Sequence, residues 1–89
     1  MTRVPLKLIN RLGLHARAAS KLVQAASAYR SQLWLEHKGR RVNAKSIMGV
    51  LLLAAPCGSD LTLEASGPDE TEAANAIARL VAERFGEDE

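Results

Sequence analysis

Cysteine, aromatic residues and long apolar runs are nearly missing from this chain, and each shortage excludes something. A single Cys57 among 89 residues allows no internal disulfide, so a small cross-linked secreted scaffold is ruled out and a reducing compartment fits. That thiol is expected to be an ordinary residue of a loop or helix end. Tyr29, Trp34 and Phe85 are the only aromatics although 47% of the residues are hydrophobic, so the core must be built from aliphatic side chains and alanine. No apolar stretch reaches membrane-spanning length, and Met1-Thr2-Arg3-Val4-Pro5 lacks the hydrophobic region of a secretory signal, which predicts a cytoplasmic protein without membrane insertion. Histidine is scarce too. His37 has no cluster of ligand-type residues around it and is expected on the surface, so neither a metal nor a cofactor is expected.

Acidic residues are almost absent from the first half. Residues 1–45 hold ten Lys/Arg and one acid, whereas residues 46–89 hold two Lys/Arg and nine acids, and the net charge of +2 conceals that split. A nucleic-acid-binding module would draw support only from Lys38 to Arg41, without an aromatic stacking set or a recognised motif. An acidic protein partner is the better expectation, with Arg11, Arg17, Lys21 and Lys45 placed to steer its docking.

The chain is long enough for one core and too short for two, which predicts one domain over residues 1–89. Val4, Leu6 and Leu8 alternate with Pro5 and Lys7 as in a half-buried strand, and Pro5 argues that this strand is at a sheet edge or begins there. Ala16 to Tyr29 is rich in helix formers, with Ala19, Leu22, Val23 and Ala26 at the spacing of one buried face. Gln32 to His37 alternates again, with Trp34 on the face opposite Leu33 and Leu35, and Lys38-Gly39 turns the chain into Arg40 to Asn43. Leu61, Leu63 and Ala65 mark a fourth strand. Gly67-Pro68-Asp69 then opens a helix with Asp69 and Glu72 in capping-box relation, burying Ala73, Ile77, Leu80 and Val81, with Phe85 near its end and Gly86 as its stop. Only Glu87-Asp88-Glu89 reads as frayed. The order is βαββαβα, an α+β fold in which one antiparallel sheet carries the helices on one face and leaves the other wet.

The chemistry gathers at Gly13-Leu14-His15-Ala16-Arg17. His15 falls at or next to the N-cap of the first helix, whose first-turn N–H groups lack intrahelical partners and whose dipole end is positive. An anion placed on His15 would be stabilised there by the N–H groups of Ala16 and Arg17. The same field favours the neutral, nucleophilic ring, and Arg17 adds donors shaped for phosphate oxygens. Downstream, Ser46 precedes the apolar run Ile47 to Ala54 as a helix N-cap would. Ile47, Val50, Leu53 and Ala54 can share an inward face of that short helix, leaving Met48, Leu51 and Leu52 outward. A docking surface of Ile47, Met48, Leu51 and Leu52 with Lys21 and Lys45 on its rim follows from this arrangement, since methionine adapts to more than one partner.

Asn10-Arg11-Leu12-Gly13-Leu14-His15-Ala16-Arg17-Ala18-Ala19 closely resembles the active-site segment of the histidine-containing phosphocarrier (HPr) family of the bacterial phosphoenolpyruvate:sugar phosphotransferase system. Val42-Asn43-Ala44-Lys45-Ser46-Ile47-Met48-Gly49-Val50 resembles that family's regulatory-serine segment, and the similarity runs from about residue 3 to Gly86. The resemblance implies an open-faced β-sandwich with a four-stranded antiparallel sheet and three helices on one face. It implies a phosphocarrier, not an enzyme in its own right, with His15 as phosphoacceptor through Nδ1 and Arg17 screening the phosphoryl oxygens. Enzyme I would be the donor and an Enzyme IIA domain of a sugar transporter the acceptor. Ser46 would be phosphorylated by HPr kinase/phosphorylase where that enzyme is present, and the protein would act as a monomer. The alternative within the family is an NPr-type carrier of the nitrogen-related phosphotransferase system; a histidine-dependent hydrolase is a further reading without an evident base or nucleophile partner. One position departs from the family pattern. Ala18 stands where proline is usual, and in a first turn alanine is an equally good choice that keeps its N–H.

Overall fold

The computed structural model describes residues 1–87. Its elements run β1 (Thr2–Lys7), α1 (Ala16–Ser27), β2 (Gln32–His37), β3 (Arg40–Asn43), α2 (Ile47–Leu52), β4 (Asp60–Ser66) and α3 (Glu70–Ala82), followed by a 3-10 turn at Arg84–Gly86. The strands form one antiparallel sheet in the order β1-β4-β2-β3. Pro5, opposite Thr62, is therefore tolerated because β1 is an edge. Register follows from alternation: Leu6, Leu33, Leu35, Leu61, Leu63 and Ala65 all point to the helix side and are buried. The helices supply Leu22, Ala26, Val50, Ile77 and Val81 to the same cluster, so all three lie on that face. Phe85 is the one aromatic in this core, at 1% exposure.

On the outer face, Arg41 stacks over the half-buried Trp34 ring at 4.6 Å. Beside them Glu64, only 8% exposed, receives Arg3 and Arg41, each at 3.5 Å. The expected wet face is thus wet at its rim and covered at its centre.

Several local expectations need correction. No capping box forms at α3. The Asp69 carboxylate turns away to accept hydrogen bonds from the Ser31 hydroxyl and the N–H groups of Ser31 and Arg30, while Glu70 accepts from the Gly67 N–H. The start of β2 outcompetes the helix end for that carboxylate because it offers three donors at once. The first helix ends at Ser27 rather than Tyr29, and Val23 and Leu80 are only half-buried. In α2 a six-residue helix has too narrow a face to hide four side chains: Val50 and Leu53 are buried, Leu51 is half-buried, and Ile47 and Ala54 are exposed. His37 is buried, with Nδ1 against the Asp60 carbonyl at 3.3 Å, because it falls on the helix side of β2.

Candidate functional site

Two loops and one helix end assemble the region around His15. The Asn10–Gly13 turn closes with a Gly13 N–H to Asn10 C=O bond of 3.1 Å, and the Leu14 N–H donates to the Ala55 carbonyl at 2.9 Å. Gly13 is required there. Its φ is +66°, and a Cβ would lie 2.6 Å from the Ala55 oxygen and 2.8 Å from Pro56 backbone atoms. The turn delivers His15 in extended conformation to the N-cap of α1, where its side chain caps nothing. The first helical bond is Ala19 N–H to His15 C=O, so the N–H groups of Ala16, Arg17 and Ala18 precede the ladder. Ala18 itself is fully buried, so the side chain at this position serves the packing of the first turn.

The His15 side chain is 27% exposed and its Nε2 lies 2.5 Å from Oε2 of Glu87. Nδ1 forms no hydrogen bond among the described residues. The other oxygen of Glu87 accepts from Asn10 Nδ2 at 3.1 Å, and the same amide donates to the Gly13 carbonyl at 2.7 Å. Burial pushes the Glu87 carboxyl up, but the hydrogen bonds from His15 and Asn10, with the charge of Lys21, outweigh it and hold the group below its ordinary value. Arg17 is exposed, and its guanidinium makes no hydrogen bond or ion pair among the described residues.

Glu87 was missed in the sequence because it lies 72 positions from His15 and reads as part of a frayed tail; Asp88 and Glu89 lie outside the described residues. Arg84 and Phe85, both with φ of +56°, and Gly86 at +79° turn the chain back after α3. Burial of Phe85 and a 2.6 Å bond from Lys21 Nζ to its carbonyl hold that unusual backbone in place. The only signal available was Phe85-Gly86, an apolar anchor beside a residue that tolerates positive φ.

Ser46 caps α2, its Oγ accepting from the Gly49 N–H at 3.2 Å. Met48 at 67% and Leu52 at 60% are exposed, as expected of a contact surface, and Ile47 joins them at 39%. Leu51 packs against the core instead. Lys45 and Lys21 both spend hydrogen bonds on carbonyls, of Tyr29 and Phe85 respectively, but keep their charge near the surface. No cluster of metal-ligating side chains exists among the described residues. No helix among them is long and apolar enough to cross a membrane.

Comparison with known proteins places these features in company. The sequence matches a family described as PTS HPr component phosphorylation site over residues 3–83. It is 57% identical to the phosphocarrier protein HPr of Cupriavidus necator over 82 residues, 92% of each chain. Against the phosphocarrier protein HPr of Neisseria meningitidis it is 46% identical over the full length of both. The fold superposes on a crystal structure of HPr from Thermoanaerobacter tengcongensis with a TM-score of 0.97, at 44% identity and complete coverage of both chains.

Proposed function

Because the chain belongs to the HPr family of phosphocarrier proteins, we propose that it accepts a phosphoryl group from phospho-Enzyme I on His15 and passes it to an Enzyme IIA domain of a sugar transporter. The observation that carries this reading is the geometry of His15 itself. Its Nε2 is engaged by Glu87 while Nδ1 has no partner among the described residues, and it sits before three N–H groups that precede the helical ladder. A phosphoryl group on Nδ1 would meet those donors and the positive end of α1, and Arg17 is within its own helix's first turn to add a fixed charge. Phosphohistidine suits a carrier because its P–N bond gives up the group readily, so the protein need only position the ring and balance charge. The carrier works in the cytoplasm as a monomer.

Ser46 serves as a regulatory phosphorylation site for HPr kinase/phosphorylase as well as a cap. Phosphate there would add about two negative charges beside exposed Met48 and Ile47, altering the surface that a partner meets. Docking uses Ile47, Met48 and Leu52 with Lys21 and Lys45 at the rim; the half-buried Leu51 supports the patch from below.

The test is incubation with phosphoenolpyruvate and either a sugar-type or a nitrogen-type Enzyme I, followed by assay for acid-labile, base-stable phosphate. The parent is expected to label with the sugar-type enzyme and His15→Ala to fold yet take no label. Label retained by His15→Ala would overturn the assignment, and labelling by the nitrogen-type enzyme alone would move the chain to the other branch.

A further inference from the structure

Glu87 does more than close the surface around His15. We propose that Glu87 is a positioning residue for phosphoryl acceptance: its carboxylate keeps the ring proton on Nε2 and thereby leaves the Nδ1 lone pair free to attack phosphorus. This rests on the reading of His15 as phosphoacceptor. The geometry is the argument. An ionised carboxylate only accepts hydrogen bonds, so the Nε2 facing Oε2 at 2.5 Å must be the protonated nitrogen. A neutral imidazole carries one N–H, so Nδ1 is then the basic nitrogen.

The carboxylate is itself held. Asn10 is fully buried and presents its amide N–H groups to both Gly13 C=O and Glu87 Oε1. Turning that amide over would set its oxygen against the Gly13 carbonyl, so its donor side stays toward Glu87. The αL turn at Arg84 and Phe85, locked by the buried ring and by Lys21, fixes where the carboxylate arrives. Lys21 is the other charged group bearing on Glu87.

In the transfer step the Nδ1 lone pair forms the new N–P bond as the bond from phosphorus to the donor's carrier group breaks, and that group leaves with the electron pair. The acceptor ring, protonated at Nε2 and phosphorylated at Nδ1, gains a positive charge that did not exist before attack. Glu87 already faces it. A group that selects the tautomer and then meets the developing imidazolium contributes most in the transition state, as the carboxylate of a serine-hydrolase triad does.

The choice of variant makes the inference sharp. In Glu87→Gln the new amide must satisfy the Asn10 donor with its oxygen, which leaves its NH2 group for His15. Nε2 would then have to accept, moving the ring proton onto Nδ1. In Glu87→Ala no such inversion is imposed.

The experiment uses the full chain, labelled with nitrogen-15, and long-range proton–nitrogen correlation spectra to read which His15 nitrogen carries the proton. His37 serves as the internal reference. Initial phosphorylation rates from phosphoenolpyruvate are measured in parallel across Enzyme I concentrations, with thermal melts to establish that the variants fold. The parent is expected to hold the proton on Nε2. Glu87→Gln is expected to move it to Nδ1 and to lose roughly tenfold or more of the rate at saturating Enzyme I, and Glu87→Ala to lose less. A parent ring protonated on Nδ1, or a glutamine variant with the parent's tautomer or rate, would overturn the proposal. Equal slowing of both variants without a tautomer change would overturn it as well, leaving Glu87 a packing contact. Failure of the parent to take phosphate would sink the carrier reading instead, while the spectra would still decide where Glu87 puts the proton.

Discussion

Replacing Gly13 by alanine should damage both stability and phosphoryl transfer, and the structure separates the two causes. The residue has φ of +66°, where an L side chain costs about 1–2 kcal/mol. Part of that is returned because alanine loses less freedom on folding than glycine, by about 0.4–1 kcal/mol. Those terms apply equally to Gly39, at φ +81°, whose added Cβ would meet nothing within 4 Å. Gly39→Ala therefore measures the backbone cost alone, and it should be about 1 kcal/mol or less. At Gly13 the Cβ would also stand 2.6 Å from the Ala55 oxygen and 2.8 Å from two Pro56 backbone atoms, none of which is the end of a flexible side chain. The two loops must part, and the 2.9 Å bond from Leu14 N–H to Ala55 goes with them. Losing that bond adds about 1 kcal/mol, and steric relief adds about 1–2 kcal/mol more, by analogy with overpacked interiors.

A total of about 2–4 kcal/mol corresponds to a melting-point drop of roughly 10–25 °C in a domain of this size. Thermal unfolding of parent, Gly39→Ala and Gly13→Ala, followed by circular dichroism under one set of conditions, gives the comparison. Gly13→Ala should also transfer phosphate slowly at temperatures where it is folded, because parting the loops shifts the N-cap residue that follows. If Gly13→Ala melts as Gly39→Ala does, the close approach of the two loops contributes nothing and the reasoning fails.

Arg17→Ala should still be labelled by phosphoenolpyruvate and Enzyme I but about 10- to 100-fold more slowly, the loss of one charge-assisted phosphate contact; an unchanged initial rate would make Arg17 a bystander. Ser46→Asp should slow His15 phosphorylation by weakening docking, with a defect that shrinks as salt rises, and rates across Enzyme I concentrations at low and high salt would show this. Asp69 is held down at about 2 from 3.8, chiefly by the Ser31 hydroxyl and then by the Arg30 N–H, against burial. Its contribution is complete above the unfolded value and is lost as pH falls toward 2, so Asp69→Asn should be less stable than the parent at pH 6 and approach it in acid, as denaturant midpoints across pH would reveal. Ala54 sits at φ +48° just past α2, so Ala54→Gly should raise stability by up to about 1 kcal/mol, read as a higher melting temperature.

The elements were legible because their information is local. Alternation of Leu33 and Leu35 about Trp34, the edge-or-start signal of Pro5 and the Lys38-Gly39 turn each act within a few residues, and a single antiparallel sheet followed from packing one apolar face, although its strand order did not. What failed was competition between distant groups. Asp69 looks like a helix cap until β2 offers it the Ser31 and Arg30 donors. His37 is a different case, since the alternation that buries Leu33 and Leu35 carries it to the same face and its polarity alone suggested the surface. Within the candidate site, residue type and position put His15 and Arg17 at a helix entrance and Ser46 at a helix cap, and the resemblance supplied their expected roles, whereas neither reached Asn10 or Glu87. Their roles depend on a reversal at Arg84 and Phe85 that neither residue favours and that burial of Phe85 and the Lys21 bond to its carbonyl hold in place.

The division of charge along the chain has a second meaning once the sheet is known. β4 lies between β1 and β2, so the acidic half is threaded between two strands of the basic half. Arg3 and Arg41 reach Glu64, Lys7 reaches Asp60, and the N-terminal ammonium reaches Glu70. Each contact joins the first half to the second. Such pairs at a protein surface contribute little individually to stability, commonly about 0–1 kcal/mol. Their effect on the field is greater, because they neutralise basic charge across the sheet while Arg17, on the opposite layer, has no acidic partner among the described residues. Three basic side chains of the first half, Arg3, Lys7 and Arg41, are thereby paired with acids of the second, while Arg17 keeps its charge at the entrance of α1. Glu87 is the one acid that meets His15 among the described residues, and it faces the ring nitrogen opposite the proposed phosphorylation atom. On the proposed function, a partner carrying phosphate would approach the ring on the Nδ1 side, and Glu87 would meet it through the imidazole between them.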